Sequence, residues 1–106
     1  MEEHVLVEKR GSTLRIAMNR AEKKNALTLA MYDAMTAGLE RAAKDDDVRC
    51  VIIAGAKSVF TAGNDLGDFM RAPPTGEGSP VVRYLNALMA FEKPIVAAVD
   101  GPAVGI

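Results

Sequence analysis

Two apolar runs that each lead into a turn of small residues constrain this chain most. The first run, residues 51–54, precedes Phe60-Thr61-Ala62-Gly63-Asn64-Asp65-Leu66, and the second, residues 95–99, precedes Gly101-Pro102-Ala103-Val104-Gly105-Ile106. Apolar runs of this length are typical of buried strands. A turn of small residues after such a strand can direct backbone N–H groups at open space, where they bind an anion or an oxygen that gains charge. A strand-to-helix connection that only satisfies packing would use the same small residues, so the first turn alone leaves both interpretations open.

The N-terminal part of the chain shows strand and loop patterns. Apolar and polar residues alternate on both sides of Arg10-Gly11-Ser12, which predicts a β-hairpin over residues 5–18. The polar, charge-rich stretch at 19–25 predicts a loop. Residues 49–54 and 95–99 are the next two predicted strands.

Three helices are predicted between these strands. Thr28 can cap a helix that runs to about residue 44, and Asp65 can cap a short helix with Asp68 three residues on. Ser79-Pro80 is a cap followed by a first-turn proline, whereas the prolines and glycines of 72–78 predict a surface loop. The second long helix has one apolar face, made of Val81, Tyr84, Leu85, Leu88 and Met89. The order β-β-α-β-α-α-β predicts an α/β fold with a largely parallel sheet packed by helices.

Composition limits the function classes. The 106 residues suffice for one domain, and 13 Lys and Arg against 14 Asp and Glu leave a net charge of −1. No basic face is implied, so we expect neither nucleic acid nor a membrane surface as a partner. No apolar run approaches the roughly 20 residues of a membrane helix, and the acidic N-terminus lacks a signal segment, which predicts a cytoplasmic protein. A single His and a single Cys cannot assemble a usual metal site or a Ser-His-Asp triad, so no metal is expected.

The glycines of the second turn do not match a nucleotide-binding pattern. Gly101 and Gly105 are four residues apart with Pro102 between them, which is not the dinucleotide spacing. No Gly-Lys-Ser/Thr follows, so the turn is not a Walker loop either. A site for nucleotide phosphates is therefore excluded at this turn.

Three motifs in combination resemble the crotonase family of enoyl-CoA hydratases and isomerases. They are Asn25-Ala26-Leu27, the turn at 60–66, and Lys93-Pro94-Ile95-Val96-Ala97-Ala98-Val99-Asp100-Gly101-Pro102-Ala103-Val104-Gly105. The wording Ala-Gly-Asn-Asp-Leu, with Lys23-Lys24-Asn25-Ala26, is similar to the Δ3,Δ2-enoyl-CoA isomerase branch in particular. The resemblance implies a crotonase-like spiral of β-β-α units. Residues 1–106 would be the N-terminal part of a single such domain, truncated at the second turn.

The resemblance also implies a role for each turn. In the family, two backbone N–H groups bind the thioester oxygen of an acyl-CoA and stabilise its enolate; carried onto this sequence, they belong to Asn64 and Ile106. The acyl-pantetheine would be lined by Ala62, Gly63, Asn64, Asp65 and Leu66. The CoA would be contacted by Lys23, Lys24, Asn25, Ala26 and Leu27. The two lysines could pair with CoA phosphates or be merely solvated, and no cofactor is implied beyond the CoA of the substrate.

Two departures from the family pattern affect the expected activity. Arg20-Ala21 stands where the family often has Arg-Pro, which is expected to loosen the loop. The catalytic carboxylates of the family lie after the second turn, in positions that this sequence does not contain. Asp65 and Asp68 suit a helix N-terminus instead, and Glu77 suits a loop.

The expected function is therefore that of an enoyl-CoA hydratase or isomerase of fatty-acid metabolism, inactive as an isolated fragment and a homotrimer or hexamer when full length. The alternative is a non-catalytic module that binds acyl-CoA or assembles with other subunits. A CoA-independent hydrolase of the same fold is a third possibility, for which the sequence offers no nucleophile.

Overall fold

A four-stranded sheet forms the centre of the fold in the computed structural model, which describes residues 3–71 and 78–105. Its strands are β1 (Val5–Arg10), β2 (Thr13–Met18), β3 (Cys50–Ala54) and β4 (Ile95–Ala98), in that order across the sheet. β1 and β2 are antiparallel, whereas β2 with β3 and β3 with β4 are parallel. The predicted α/β class with a largely parallel sheet is confirmed.

The predicted hairpin joins β1 to β2 through a two-residue turn. Arg10 pairs with Thr13, and Gly11 between them has a φ of +58°. This left-handed backbone is accessible to glycine at no steric cost, which explains the glycine at the turn.

Three helices follow the predicted pattern. They are α1 (Leu29–Lys44), α2 (Leu66–Arg71) and α3 (Pro80–Ala90). The Thr28 hydroxyl accepts a hydrogen bond from the Met31 N–H at 3.2 Å, and the Ser79 hydroxyl accepts one from the Val82 N–H at 3.2 Å. Both long helices therefore begin at the side-chain caps that the sequence predicts. No helix within 3–71 and 78–105 combines the length and apolar character needed to cross a membrane.

The core lies between α1, the sheet and α3. The rings of Tyr32 on α1 and Tyr84 on α3 meet with centroids 5.5 Å apart. The apolar face predicted for α3 is only partly covered: Val81 and Tyr84 are buried, whereas Met89 is 78% exposed. The buried cluster comprises Leu14, Ile16, Met18, Leu27, Met31, Tyr32, Met35, Leu39, Ala42, Val48, Val51, Ile53, Val81 and Tyr84.

β4 is less buried than its apolar sequence predicts. Ile95 is half-buried, but Val96 is 53% exposed and the next residues of the strand are exposed too. Continuous apolar runs are typical of parallel strands that are covered on both faces. Among the described residues β4 pairs with β3 alone, so much of its surface lacks a neighbour.

A second ladder lies beside the sheet and was not recognised in the sequence. It joins residues 24–27, 60–65 and 102–104, through parallel bridges of Leu27 with Asn64 and of Thr61 with Ala103. Each of these segments follows a strand of the main sheet, β2, β3 or β4 respectively. The chain thus repeats one pattern three times: a strand of the sheet is followed by a segment of the second ladder. Helices follow the first and second of these repeats. This arrangement agrees with the expected β-β-α units.

Candidate functional site

The Asn64 N–H of the first turn has no acceptor among the residues that the structure describes. Leu27 N–H donates to the Gly63 carbonyl at 2.8 Å, and Asp65 N–H donates to the Leu27 carbonyl at 2.8 Å. In a parallel pairing of this kind the N–H of the central residue points away from the partner strand. The Asn64 N–H is therefore directed away from Leu27, and within the described part of the chain it donates to no acceptor.

The residues before Asn64 are held by short hydrogen bonds. The Thr61 hydroxyl donates to the Asn25 carbonyl at 2.7 Å and accepts from the Gly63 N–H at 3.1 Å. Gly63 is buried with a φ of +94°, and a Cβ there would lie 3.2 Å from the Val104 carbonyl oxygen. Only glycine suits this position, because it needs both the left-handed backbone and the close approach.

The Asn25 side chain holds the turn from below. Asn25 is fully buried, and its Nδ2 donates to the carbonyl of Val59 at 2.9 Å and to those of Ala56 and Phe60 at 3.3 Å. Its Oδ1 accepts from the Arg20 N–H at 2.9 Å. This amide is fully engaged inside the fold, so what it offers a ligand is the shape of the loop.

Arg20 and Asp65 form a largely buried ion pair behind the turn. Arg20 Nη1 lies 2.7 Å from Asp65 Oδ2 and donates to the Ala26 carbonyl at 3.0 Å. The Asp68 N–H donates to Asp65 Oδ1 at 2.8 Å, which confirms Asp65 as the cap of α2. That hydrogen bond and the one from Arg20 hold the pKa of Asp65 below its usual value. The carboxylate stays ionised and both of its oxygens accept hydrogen bonds, so a structural role suits it better than proton transfer.

The second turn lies against the first. Pro102 accepts hydrogen bonds from the N–H groups of Phe60 at 3.0 Å and Thr61 at 3.1 Å. Val104 N–H donates to the Thr61 carbonyl at 3.0 Å, and a Cβ on Gly105 would lie 3.7 Å from the Gly63 Cα. The structure therefore brings the two predicted turns together. The predicted second donor, the N–H of Ile106, lies outside the described residues and stays a prediction, as do residues 72–77 of the loop predicted at 72–78.

The predicted CoA-binding loop divides into exposed and buried residues. Lys23 and Lys24 are exposed, Ala26 is half-buried, and Leu27 is buried in the core. The loop contains a single 3-10 turn, Ala21–Lys23, and Lys24 and Asn25 have φ values of +54° and +57°. The Lys24 carbonyl accepts from the Ala62 N–H at 3.0 Å, which holds the loop against the first turn despite the alanine at position 21.

The predicted acyl-lining residues also differ in exposure. Ala62, Asn64 and Leu66 are exposed, with Leu66 at 78%, whereas Gly63 is buried and Asp65 is half-buried. A small cavity of about 10 Å³ lies directly beneath this segment. Its walls include Leu27, Leu29, Tyr32, Asn64, Phe69 and Val81.

Sequence reasoning missed Tyr32. Its position on α1 predicts a core residue, and it is indeed buried, but its hydroxyl also donates a hydrogen bond to the Asn64 side-chain oxygen. Burial raises the pKa of Tyr32 to about 12. No local pattern identifies such a pair, because the two residues are 32 positions apart in sequence.

A larger cavity lies away from both turns. A groove of about 630 Å³ runs between α1 and α3, and none of its lining residues belongs to either turn. An ion pair of Asp33 and Arg83 at 2.8 Å spans it. The residues described include no group of three or more His, Cys, Asp or Glu side chains that could hold a metal ion.

Known proteins are similar to this chain in both sequence and fold. The family model described as enoyl-CoA hydratase/isomerase matches residues 8–106. Enoyl-CoA delta isomerase 2 of Rattus norvegicus is 39% identical over 108 residues, which cover 96% of this chain and 27% of that protein. Enoyl-CoA hydratase EchA19 of Mycobacterium tuberculosis is 40% identical over 105 residues, covering 93% of this chain and 40% of that protein.

Solved structures give the same result for the fold. OdaA of Pseudomonas aeruginosa superposes with a TM-score of 0.94 at 47% identity, over 98% of this chain and 42% of that chain. An enoyl-CoA hydratase/isomerase from Pseudoalteromonas atlantica superposes with a TM-score of 0.90 at 40% identity, over 97% of this chain and 41% of that chain. The crotonase-like fold expected from the motifs is confirmed, and the chain spans less than half the length of each of these relatives. The chain belongs to the enoyl-CoA hydratase/isomerase family.

Proposed function

We propose that this chain contributes one half of an oxyanion site to an enzyme that isomerises or hydrates enoyl-CoA thioesters. The observation that carries the proposal is the Asn64 N–H, which has no acceptor among the described residues while both neighbouring N–H groups are paired. A donor held in this way costs no reorganisation when charge develops on a nearby oxygen. One such donor is worth about 3–4 kcal/mol of barrier in other enzymes.

The chemistry that suits this donor is removal of a proton from the carbon next to a thioester. As that proton leaves, negative charge builds on the thioester oxygen, and an N–H directed at the oxygen stabilises the enolate. The proposed second donor is the N–H of Ile106. Asp65 is engaged by Arg20, and Asp68 Oδ2 accepts from the Leu29 N–H at 2.6 Å, so we assign neither carboxylate to proton transfer.

The CoA portion is proposed to lie along the loop that precedes α1. Lys23 and Lys24 are exposed there, and both are available to CoA phosphates. Ala26 would contact the ligand directly, while Asn25 and Leu27 act through the loop shape, because both are buried. Ala62, Asn64 and Leu66 are exposed on the acyl side, with Gly63 and Asp65 supporting them.

The remaining expectations concern the whole protein. We propose that residues 1–106 form the N-terminal part of a single crotonase-fold domain, and that the complete protein is a homotrimer or hexamer in fatty-acid metabolism. No cofactor is proposed apart from the CoA of the substrate. A cytoplasmic location stays a prediction from the sequence.

Titration calorimetry on the protein that carries this chain tests the proposal with three ligands. Butyryl-CoA offers a thioester oxygen, S-butyl-CoA is a thioether that lacks it, and free CoA lacks the acyl group altogether. We expect butyryl-CoA to bind at least about tenfold more tightly than S-butyl-CoA, since only the former has an acceptor for the Asn64 N–H. Equal affinity for all three would contradict the oxyanion site and favour the non-catalytic CoA-binding alternative.

A further inference from the structure

The side chain of Asn64 is tied to the core although the residue itself is exposed. The Tyr32 hydroxyl donates to Asn64 Oδ1, and Tyr32 is 1% exposed at the base of the turn. Within the described residues the Asn64 Nδ2 has no acceptor, so this hydrogen bond is what orients the side chain. The pair connects the buried face of α1 to the residue whose backbone N–H carries the proposed function.

The bridge to Leu27 sets the direction of that N–H, because the N–H lies in the same planar trans peptide as the Gly63 carbonyl and points the opposite way. Leu27 bonds to the peptides on either side of Asn64, through the Gly63 carbonyl and the Asp65 N–H. Both bonds hold the backbone on the side that faces Leu27, so a small rocking of the segment about the line that joins them would tilt the N–H. The hydrogen bond from Tyr32 attaches Asn64 at a third point off this line, its side chain, and opposes such tilting.

We propose that Tyr32 is a positioning residue for the oxyanion donor: its hydroxyl holds the Asn64 side chain and thereby restricts tilting of the Asn64 backbone N–H. This inference rests on the proposed function of that N–H. It gives the Asn64 side chain a part to play, whereas the family resemblance requires only the backbone.

Tyr32 is itself well placed to act as a rigid support. It lies in the first turn of α1, four residues after the Thr28 cap, and its ring packs against Tyr84 with an interplanar angle of 55°. Its backbone carbonyl accepts from the Thr36 hydroxyl at 3.0 Å in addition to its helical bonding. Because burial raises the pKa of Tyr32 to about 12, the hydroxyl stays protonated and remains a donor throughout the physiological pH range.

The test compares Tyr32→Phe with Tyr84→Phe in the protein that carries this chain. Both substitutions remove one hydroxyl from a buried ring and keep the ring packing, but only Tyr32 donates to Asn64. We expect Tyr32→Phe to lower the preference for butyryl-CoA over S-butyl-CoA by about fivefold to tenfold, the effect of one neutral hydrogen bond. Affinity for free CoA should be unchanged, and Tyr84→Phe should retain the wild-type preference.

Infrared difference spectra provide a measurement that does not depend on the overall stability of the protein. When ¹³C-labelled butyryl-CoA binds, an oxyanion site lowers the thioester C=O stretching frequency, because its donors polarise the bond. Tyr32→Phe should give a smaller downshift than the wild-type protein, and Tyr84→Phe the same downshift. Asn64→Ala keeps the backbone N–H but removes the acceptor of Tyr32, so adding Tyr32→Phe to it should cause no further change.

The outcomes separate this inference from the function on which it rests. If wild-type protein shows the downshift and Tyr32→Phe shows it undiminished, the positioning role is wrong and the oxyanion site stands. If wild-type protein shows neither a downshift nor a thioester preference, the proposed function is wrong, and the role of Tyr32 is overturned with it. Additive effects of Tyr32→Phe and Asn64→Ala would also contradict the inference.

Discussion

At the scale of single residues, position 25 shows how a buried polar side chain organises two loops. Asn25 is fully buried with a φ of +57°, and its amide bonds to carbonyls of 56–60 and to the Arg20 N–H. The nitrogen end of the amide faces only acceptors, and the oxygen end faces a donor. The site therefore requires an amide rather than a carboxylate.

Replacing Asn25 by Asp tests this requirement. Asp tolerates the left-handed backbone as Asn does, so the change affects only the hydrogen bonding. We expect a loss of about 3 kcal/mol in the free energy of unfolding at neutral pH, since a carboxylate oxygen would face the three carbonyls. Urea unfolding measures the loss, with Asn86→Asp on the exposed face of α3 as the control. A loss no larger than that of the control would contradict the buried network.

A comparison of Gly63 with Gly11 distinguishes the cost of backbone strain from the cost of close packing. Both have positive φ, but a Cβ on Gly11 meets nothing within 4 Å, whereas one on Gly63 meets the Val104 carbonyl at 3.2 Å. We expect Gly11→Ala to cost about 1 kcal/mol and Gly63→Ala distinctly more, because the second turn must move as well. Thermal unfolding of the two variants gives the comparison, and equal losses would show that the turns are not in contact.

At the scale of elements, the ion pair of Arg20 and Asp65 connects the loop before α1 to the start of α2. The two residues are 45 positions apart, and both side chains are largely buried, at 14% and 19% exposure. Asp65 caps α2 at the same time. One carboxylate thus fixes the helix start and the loop that faces the first turn.

The Asp65 carboxylate should affect how the free energy of unfolding changes with pH in the acid range. The Asp68 N–H and Arg20 lower the pKa of Asp65 from its ordinary value of 3.8, so its contribution to stability is complete above that value and is lost as the pH falls through the lowered pKa. Asp65→Asn keeps a side chain that can cap the helix but removes the charge. We expect it to reduce stability at neutral pH and to flatten the decline in acid.

Urea unfolding between pH 2 and pH 7 measures both effects. Asp46→Asn, at an exposed carboxylate that forms no ion pair with a described residue, serves as the control and should follow the wild-type curve. A parallel decline for wild-type and Asp65→Asn protein would contradict the assignment.

At the scale of the whole molecule, the β4 edge of the sheet exposes apolar side chains. Val96 is 53% exposed, Val99 is 54% exposed, and β4 pairs on one side only within the described residues. An apolar edge strand of this kind pairs readily with another chain. The other edge strand, β1, carries Glu8, Lys9 and Arg10, which oppose such pairing.

A chain of these 106 residues produced alone should therefore self-associate through β4. We expect Val96→Lys to shift the equilibrium toward monomer, because a charge on an edge strand disfavours pairing. Met89→Lys replaces an equally apolar, exposed residue on α3 and should change association less. Sedimentation velocity at several concentrations compares the three proteins, and equal association of wild-type and Val96→Lys chains would exclude this edge as the contact.

The sequence by itself determined the elements, their caps and the family. A cap such as Thr28 or Ser79 depends on residues three positions away, so local spacing is enough to predict it. The motifs at 25–27, 60–66 and 93–105 were likewise visible as written. Even so, β4 is less buried than its apolar run suggests, because an apolar residue is covered only where another element lies over it.

Only the tertiary structure decided which groups the first turn leaves available. Leu27 bonds to the Gly63 carbonyl and to the Asp65 N–H, which leaves the Asn64 N–H between them without an acceptor among the described residues. The Asn64 side chain accepts a hydrogen bond from Tyr32, which is 32 positions away in sequence. The same holds for the amide of Asn25 and the carboxylate of Asp65, which the sequence offered as ligand contacts and the fold uses internally. Such pairings arise where distant segments stack in a second ladder, and no local pattern specifies which segments meet.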